Sequence, residues 1–571
     1  MGVILRFFSN FVNECNNIII IFLMTNSLNN LLLNTIKEHW EDLALTDFNG
    51  VSFQYRDVAR KTAKLHILFK SIGLQPGDRV ALCGKNSSQW AVAFIASVTY
   101  GAVVVPILHE FKADNIHHLV NHSEAKLFFA DAGTWENLDP ALIPGVEGAL
   151  LMSDYSLLLS RSERLTSARA HLNELFGREY PERFTPDDLK FHEDKPEELA
   201  LINYTSGSTG FSKGVMLPYR AMWSNARYCL DNLEFLKAGD GLVSMLPMAH
   251  MYGLMIELIF PFIRGCHIYF LTRVPSPKVI IDAFAMVKPK LVITVPLIIE
   301  KIIKTKVFPL LDKPLMKILL HVPFVDERLL GRIKERLNET FGGNLEEIIV
   351  GGAALNKEVE AFLHRIGFHY TSGYGMTECA PLISYAPWNK HRQTSCGVAV
   401  DRMEIKVDSP DPYNIPGVLW VKGMNVMQGY YKNPEATEEV MHDGWMSTGD
   451  ICTIDEDNYI YIRGRDKNMI LGPSGQNIYP EEIEQKLNNM PYVCESVVVD
   501  DDNSLIALVY PDFDNADKQG VTDLQALMEE NIAQLNKELP AYSQIRRVKI
   551  YHEEFEKTPK RSIKRYLYKL G

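Results

Sequence analysis

Hydrophobic and polar positions alternate along the chain in two recurring patterns. Short apolar runs rich in β-branched residues, such as 79–83 and 102–106, predict buried strands. Between such runs, residues 53–73 and 90–100 space their apolar side chains as a helix does. Strands that alternate with helices are typical of parallel sheets covered on both faces, so residues 28–460 are predicted to form an α/β fold. The strand pattern recurs at residues 126–129, 242–245, 267–271, 291–294 and 347–350.

The pattern changes toward the C-terminus. From residue 400 to 463 the predicted strands lie closer together and are rich in glycine, which indicates a small barrel or an antiparallel sheet. After about residue 467 a separate small mixed domain is predicted. Its helices are expected at residues 480–489 and 523–538, and its strands at 496–499 and 505–510.

Residues 1–27 differ from the rest of the chain. The run 18–23 is apolar but shorter than the about 20 residues that a membrane-spanning helix needs. No small-residue cleavage site follows it, which argues against a signal peptide. Met24 is one candidate for the true start, which would make 1–23 an upstream extension. The alternative is an anchor that touches a membrane surface.

Charge and cysteine content narrow the class of protein further. The 571 residues include 59 basic and 71 acidic side chains, a net charge of −12, which argues against a nucleic-acid partner. A single core rarely exceeds roughly 250–300 residues, so more than one domain is expected. The 8 cysteines form no CxxC pair, which is typical of free thiols in a reducing compartment. We therefore expect a cytoplasmic protein, with membrane association left open. The oligomeric state is not indicated.

The most informative segment is the loop YTSGSTGFSKG at residues 204–214, which closely follows the apolar run 199–202. Its glycines let backbone amides converge on an anion, its hydroxyls add donors, and Lys213 supplies a compact positive charge. Ser212 stands where the P-loop of nucleotide hydrolases requires glycine, so this is a different type of phosphate loop. A flexible surface turn rich in serine and glycine is the alternative interpretation.

This loop resembles the signature of the adenylate-forming, or AMP-binding, superfamily, which includes acyl-CoA synthetases, firefly luciferase and the adenylation domains of peptide synthetases. The resemblance extends over residues 28–571 and is strongest to long-chain fatty acyl-CoA synthetases. It implies a large N-terminal domain (28–466) of two parallel-type α/β sheet subdomains plus a small barrel, followed by a small mobile C-terminal α+β domain (467–571). Six further motifs occur in the family's order: PMAHMYG at 247–253, GGAAL at 351–355, GYGMTE at 373–378, GYYKNPEAT at 429–437, DGWMSTGD at 443–450 and GRDK at 464–467.

The resemblance implies a reaction in two steps. A carboxylate, here that of a long-chain fatty acid, attacks the α-phosphate of ATP to give an acyl-adenylate and pyrophosphate, and the thiol of CoA then displaces AMP. Because the first step brings two anions together, it needs Mg²⁺ and donors aimed at phosphate oxygens. By resemblance, Glu378 and Thr205 would hold Mg²⁺, and Thr377 would contact the α-phosphate. The β- and γ-phosphates would be bound by Thr205, Ser206, Gly207, Ser208, Thr209, Gly210 and Lys213.

The resemblance also implies which residues bind adenosine. Asp450 would accept both ribose hydroxyls, and Arg465 would reach the ribose from the other side. His250 would lie between the nucleotide and the acyl chain, although a lone histidine among apolar neighbours is more often a satisfied core residue. Adenine would be enclosed by Gly352, Ala353, Ala354, Tyr374 and Gly375, with the tyrosine stacked on its face.

A hinge at Lys467 is implied as well, about which the small domain would rotate between the two steps. Gly475 would then lie beside the pantetheine arm of CoA. The family's tail lysine, which reaches the carboxylate and the α-phosphate, is missing, because Ser562 occupies its position. Lys560 and Lys564 flank that serine, and we expect one of them to substitute, with Lys560 preferred.

Three other functions stay open at this point. The acceptor could be an acyl carrier protein instead of CoA, or the acid could be aromatic or short. From a different class, the chain could be a nucleotide- or acyl-binding regulator with weakened catalysis, which only Ser562 favours. The intact Lys213, Glu378, Asp450 and Arg465 favour an enzyme.

Overall fold

A mixed sheet of eight strands forms the centre of the N-terminal part of the chain. The computed structural model describes residues 27–205, 212–272, 276–322, 324–472, 476–501, 504–558 and 563–568. The apolar run at 18–23 and the candidate start at Met24 therefore lie outside the described residues. Across the sheet the strands follow the order Gly429–Tyr430, Lys213–Pro218, Leu199–Thr205, Val103–Ile107, Arg79–Cys83, Ala125–Ala130, Gly148–Leu151 and Leu157–Ser160.

The middle of this sheet is parallel, as the hydrophobic pattern predicts, but its two edges are not. Leu199–Thr205 pairs antiparallel with Lys213–Pro218, and Gly148–Leu151 pairs antiparallel with Leu157–Ser160. The reason is local, because a strand that turns straight back after a short connection pairs antiparallel with the strand before it. The α/β fold class is confirmed, and the expected parallel sheet is corrected to a mixed one.

Two smaller sheets complete the α/β part. The three-stranded parallel sheet has a hydrophobic core of its own, in which Phe284, Phe341 and Tyr370 are buried. Its strands are Leu291–Thr294, Glu347–Val350 and Tyr370–Ser372. The other sheet has the order Gly241–Ser244, His267–Phe270, Leu43–Asp47 and Ser52–Gln54, of which only the last strand runs antiparallel to its neighbour.

An antiparallel region follows, which is the second of the two arrangements predicted for residues 400–463. Its longest strand, Trp445–Ile454, pairs with three neighbours. Asp450 and Arg465 lie directly opposite each other in this sheet. The strands are Met403–Asp408, Gly417–Gly423, Trp445–Ile454, Met441–His442 and Ile460–Arg465, and a small sheet of Tyr374–Gly375, Leu382–Tyr385 and Val398–Ala399 precedes them.

The C-terminal part has its own sheet and its own core. Ile483, Leu487 and Leu535 from two helices are buried together with Val498 and Ala507 from the sheet. The strands of this sheet are Val493–Asp501, Ser504–Pro511 and Ile545–Ile550, and a two-stranded ribbon of Ile470–Leu471 and Asn477–Ile478 precedes them.

Helices connect the strands and cover the sheets. None of the described helices is long and apolar enough to cross a membrane. Two of the segments, Leu254–Ile259 and Ile303–Val307, are π-helical. The α-helices are Leu28–Glu38, Tyr55–Ser71, Ser88–Tyr100, Ala113–Ser123, Ala132–Trp135, Glu163–Ala170, Leu172–Glu179, Tyr219–Asn232, Met251–Gly253, Phe260–Ile263, Pro277–Val287, Pro296–Ile302, Phe308–Leu311, Pro314–Leu319, Val325–Thr340, Lys357–Arg365, Pro434–Val440, Pro480–Leu487, Phe513–Lys518 and Leu524–Asn536.

Candidate active site

One large cavity lies where the sheets of the N-terminal part meet the C-terminal tail. Its volume is about 2300 Å³, well above the roughly 300–1,000 Å³ of a pocket for one small ligand, so it has room for more than one. Most of the residues that the motifs single out converge here. The cavity is lined by Thr205, Lys213, His250, Gly352, Ala353, Tyr374, Gly375, Thr377, Glu378, Arg465, Lys467 and Lys564, among others.

Some of the predicted site residues are not on this wall. Ala354 is exposed but does not line the cavity, unlike Gly352 and Ala353, which are predicted to enclose adenine with it. In extended chain, successive side chains point to opposite sides, which separates Ala354 from Ala353. Outside the described residues lie Ser206, Gly207, Ser208, Thr209, Gly210, Gly475 and Lys560.

Beside the strands that carry the phosphate loop, a cation, an aromatic ring and a carboxylate meet. Thr205 and Lys213 are paired residues on two neighbouring strands, so the loop between them leaves and returns at the cavity. The Lys213 ammonium lies 4.7 Å from the centre of the Tyr430 ring, within the range in which a ring face attracts a cation. The Tyr430 hydroxyl donates to Glu378 Oε1 over 3.0 Å. Tyr430 therefore links the lysine to the carboxylate.

Glu378 is a buried carboxylate, 8% exposed, on the short 3₁₀ turn Thr377–Cys379. Its backbone oxygen accepts the Met427 amide over 2.8 Å, which ties the turn to the segment that carries Tyr430. Since Tyr430 engages one carboxylate oxygen, the other is able to bind a cation. No group of three or more His, Cys, Asp or Glu side chains that could hold a metal occurs in the described part of the chain. A metal at Glu378 would take its remaining ligands from substrate phosphates and water, as Mg²⁺ commonly does.

Asp450 lies just behind the cavity wall, in contact with two residues that form it. It is 3% exposed. The Tyr374 hydroxyl donates to Asp450 Oδ2 over 2.5 Å, and Arg465 Nε lies 2.7 Å from Oδ1. Burial raises the pKa of Asp450, while the Arg465 charge and the Tyr374 hydrogen bond act against that rise. Because each carboxylate oxygen can accept two hydrogen bonds, Asp450 retains acceptor capacity for a ligand.

A glycine-rich turn forms one wall of the cavity. It follows the strand Glu347–Val350, and Gly352 has a φ of +86°, in the left-handed region that favours glycine. At Gly351 an added Cβ would lie 2.9 Å from the Tyr252 ring, which is too close for any other residue. The Tyr252 hydroxyl is itself held by a 3.1 Å hydrogen bond to the Ile349 oxygen. The turn therefore presents backbone to the cavity, a surface that a flat ring can approach closely.

The loop that leads to His250 is anchored by two polar residues that none of the motifs includes. Glu257 is 0% exposed and accepts the Met245 and Leu246 amides over 3.0 and 2.8 Å. Asn86 Nδ2 donates to the Leu246 oxygen over 2.6 Å. Burial raises the pKa of Glu257 well above its ordinary value. A single acidic residue inside an otherwise apolar helical run is the sequence signal that could have identified Glu257.

The C-terminal tail reaches the cavity. Lys564 lines the wall, and its ammonium lies 3.4 Å from Glu556. The next residue, Arg565, forms an ion pair with Glu484 and lies 3.9 Å from Glu481. These contacts hold the tail at the mouth of the cavity.

Polar contacts join the C-terminal part to the rest of the chain. Gln485 Nε2 donates to the Leu355 oxygen over 2.9 Å. Lys467, at the predicted hinge, has an exposed side chain that lies 3.4 Å from Glu439. Contacts of this polar kind are typical of domain interfaces that can separate.

A second part of the cavity wall is apolar and is here called the apolar arm. It is built by helices that surround the three-stranded parallel sheet, and several of its members belong to the hydrophobic core of that sheet. An apolar wall favours a ligand with a hydrocarbon portion. The arm comprises Ile280, Phe284, Ile298, Ile302, Leu337 and Phe341.

Comparison with known proteins identifies the family. The AMP-binding enzyme family matches residues 33–431, and the AMP-binding enzyme C-terminal domain matches residues 467–569. A long-chain-fatty-acid–CoA ligase of Yersinia pestis is 29% identical over 472 residues, which cover 77% of this chain and 76% of that protein.

Two solved structures share the fold. ATP-bound MatB from Rhodopseudomonas palustris has a TM-score of 0.74 at 24% identity, over 95% of this chain and 98% of its own. O-succinylbenzoate coenzyme A synthetase (MenE) from Bacillus subtilis, in complex with AMP, has a TM-score of 0.73 at 18% identity, over 95% of this chain and 98% of its own. The fold and the cofactors implied by the motifs are thus confirmed. The chain belongs to the AMP-binding enzyme family and is an AMP-forming acyl-CoA ligase that uses ATP, Mg²⁺ and CoA.

Proposed function

We propose that this ligase activates long-chain fatty acids. The observation that carries the proposal is the apolar arm, which belongs to the same cavity as Lys213 and Glu378. The Yersinia pestis relative is named for this class of acid, whereas MenE is named for O-succinylbenzoate, so membership of the family does not by itself identify the substrate. Each methylene buried in the arm contributes about 0.8 kcal/mol. A long alkyl chain buries the most methylenes and therefore gains the most binding free energy from the apolar arm.

In the first step, the residues beside the phosphate loop would position ATP. We assign Lys213 and Thr205 to the β- and γ-phosphates and Thr377 to the α-phosphate, together with the loop between the two strands. Glu378 would hold Mg²⁺, with Thr205 beside it, and the bound ion would stabilise charge on the phosphate oxygens. The Tyr430 hydrogen bond orients the Glu378 carboxylate toward this task.

The adenosine would be bound at the opposite group of residues. We assign the ribose hydroxyls to Asp450 and Arg465, and adenine to the wall of Gly352, Ala353 and Tyr374. Binding of the ribose and the adenine would hold the α-phosphate in line with the incoming carboxylate. Such positioning lowers the activation barrier. His250 would lie where the acyl carboxylate enters.

In the second step, the C-terminal part would rotate about Lys467. We propose residues 28–466 as the nucleotide- and acid-binding domain and 467–571 as the mobile domain, with Gly475 near the CoA thiol arm after rotation. The polar contact between Gln485 and Leu355 would break during this movement. We propose the cytoplasm as the compartment in which both steps take place.

The chain-length profile tests the proposed substrate class. A purified sample should catalyse ATP–pyrophosphate exchange with saturated acids, and kcat/KM should rise with length because each added methylene strengthens binding by about fourfold until the arm is full. Leu297→Glu, which places a charge on the cavity wall at a half-exposed position, should raise the KM for palmitate by about tenfold and leave that for short acids unchanged.

The matched control is Leu142→Glu, because Leu142 is also an exposed leucine, 52% against 56% for Leu297, and does not line the cavity. A profile that falls with length, or activity confined to aromatic acids, would contradict the proposed substrate. If no acid of any class supported exchange, the result would favour the regulator over the enzyme.

A separate prediction concerns the tail, where Ser562 occupies the position of the family's lysine. We propose that Lys564 or Lys560 takes over the contact to the carboxylate and the α-phosphate, and the position of Lys564 on the cavity wall supports it. A hydrogen bond to a charged group is worth about 1.5–3 kcal/mol, so Lys564→Ala or Lys560→Ala should slow adenylation by at least about tenfold. Thioester formation from supplied acyl-adenylate should be unaffected in both variants.

Lys557→Ala is the control for the tail. Lys557 also lines the cavity, but its ammonium is held by Glu495 at 2.6 Å and by Glu554 at 3.0 Å. Its loss should leave adenylation within about twofold of the parent, because no phosphate contact is removed. Unchanged adenylation in both Lys560→Ala and Lys564→Ala would refute the substitution.

A further inference from the structure

A group of large apolar side chains lies on the surface next to the apolar arm. Leu315 and Ile318, on the helix Pro314–Leu319, are 69% and 65% exposed, and Val322 and Phe324 just beyond it are 41% and 80% exposed. Single exposed leucines are ordinary, but four such residues within one short segment are not. We call these four residues the apolar face.

The backbone brings three of the four residues of the apolar face together on one side. Leu315 and Ile318 are three positions apart on a helix and so project from the same side. Helical turns continue past the end of this helix, because the His321 amide donates to the Ile318 oxygen over 3.1 Å and the Val322 amide to the Leu319 oxygen over 3.2 Å. Val322 therefore extends the row that Leu315 and Ile318 begin.

The surroundings of the apolar face are basic, in contrast to the chain as a whole. Residues 296–325 contain five lysines and two acidic residues, whereas the whole chain has a net charge of −12. Lys301, Lys306, Lys313 and Lys317 are exposed, and Lys317 lies 3.1 Å from Asp312. Apolar side chains bordered by lysines are the combination that binds anionic lipid surfaces.

The same segment lies at the entrance of the apolar arm. Leu297 and Leu310 line the cavity and are 56% and 42% exposed, so the cavity wall reaches the surface at both residues. The ion pair of Asp312 with Lys317 ties the end of the helix Phe308–Leu311 to the helix that carries Leu315 and Ile318. The opening and the apolar face thus belong to one continuous surface.

We propose that the apolar face docks on an anionic lipid membrane. A second copy of the chain fits less well, because a two-fold interface would bring the lysines of one copy against the same lysines of the other. Docking itself depends only on the exposed apolar side chains and the positive charge of the lysines around them. The further consequence, that a fatty acid enters the apolar arm directly from the bilayer, rests on the proposed function.

Vesicle partition of the full chain tests docking without reference to activity. The chain is mixed with phosphatidylcholine vesicles that contain or lack phosphatidylglycerol, and the bound fraction is measured at low and high salt. The parent should bind the anionic vesicles, with binding weakened by salt. The variant with Leu315→Ser, Ile318→Ser and Phe324→Ser should bind them at least about tenfold more weakly.

The matched control carries three serine substitutions at exposed apolar residues elsewhere on the surface. They are Val51→Ser, Leu142→Ser and Tyr413→Ser, at positions 52%, 52% and 55% exposed. It should bind vesicles like the parent, and both triple variants should melt as the parent does. Equal binding of the two triple variants would overturn the proposal. So would a parent that ignores vesicles but is dimeric by light scattering, with the apolar-face variant monomeric.

Activity measurements separate this proposal from the proposed function. With palmitate supplied in anionic vesicles, the apolar-face variant should be slower by about the factor by which its binding falls, and with a soluble medium-chain acid it should match the parent. A parent that binds vesicles but activates no fatty acid would end the proposed function and leave docking intact. Equal rates of parent and variant on vesicle-borne palmitate would overturn delivery from the bilayer.

Discussion

Replacing Glu378 with Gln is expected to lower palmitate-dependent ATP–pyrophosphate exchange by about 100-fold to 1000-fold. The Gln side chain has the same shape and can still accept the Tyr430 hydroxyl that now lies 3.0 Å from Oε1, so the fold should be preserved. It lacks the negative charge that would hold Mg²⁺ between the protein and the phosphates. The rate at saturating Mg²⁺, and the Mg²⁺ concentration that gives half of it, are the two quantities to measure.

Glu439→Gln is the control for this substitution. Glu439 also lines the cavity, but its side chain is 56% exposed and forms an ion pair with Lys467 at 3.4 Å. This variant should exchange pyrophosphate at nearly the parental rate and with the parental Mg²⁺ requirement. If Glu378→Gln behaved like Glu439→Gln while melting at the same temperature, Glu378 would not be the metal-binding carboxylate.

Asp450→Asn is expected to raise the KM for ATP by about 100-fold. The substitution removes a buried charge that lies 2.7 Å from Arg465 Nε, and it places an amide where a carboxylate accepts from Tyr374. A hydrogen bond to a charged group is worth about 1.5–3 kcal/mol, and the upper value corresponds to about 100-fold in binding. Steady-state kinetics with varied ATP, together with the melting temperature, measure the two consequences.

Two further variants serve as controls for Asp450→Asn. Asp443→Asn alters an exposed aspartate of the same motif, whose φ of +51° asparagine tolerates, and should leave the KM for ATP unchanged. If the buried substitution prevents folding, Tyr374→Phe removes one hydrogen bond to Asp450 without removing its charge, and should raise the KM by about tenfold. An unaltered KM in both Asp450→Asn and Tyr374→Phe would exclude this pair from ribose binding.

The parts of the fold that follow from local pattern could be read from the sequence. Arg79–Cys83 and Leu291–Thr294 form as predicted, because a short apolar run between turn residues has few alternatives to a buried strand. The direction of pairing at the sheet edges does not follow from the apolar runs themselves. Whether Lys213–Pro218 runs parallel or antiparallel to its neighbour depends on how short the connection is, and the hydrophobic pattern does not contain that information.

The candidate site also has features that could be predicted from the sequence and features that only the folded chain determines. Motif residues such as Glu378 and Asp450 could be found because the motifs that contain them resemble those of a known family. The contacts that these carboxylates make could not, since Tyr430 meets Glu378 and Arg465 pairs with Asp450 only after the chain has folded. The partners of Glu257 belong to this second class, because one charge in an apolar run suggests a buried carboxylate but gives no indication of the amides that will satisfy it.

The pairing of Asp450 with Arg465 has a thermodynamic consequence for the catalytic cycle. Arg465 is the last residue of the strand Ile460–Arg465, and Lys467 follows it almost at once. A nucleotide that competes for the Asp450 carboxylate acts on the strand end from which the C-terminal part departs. If the C-terminal part rotates as proposed, nucleotide occupancy and the orientation of that part are reciprocal. The nucleotide would then favour the orientation that binds it more tightly by the same factor by which that orientation strengthens nucleotide binding, and departure of AMP would remove this preference.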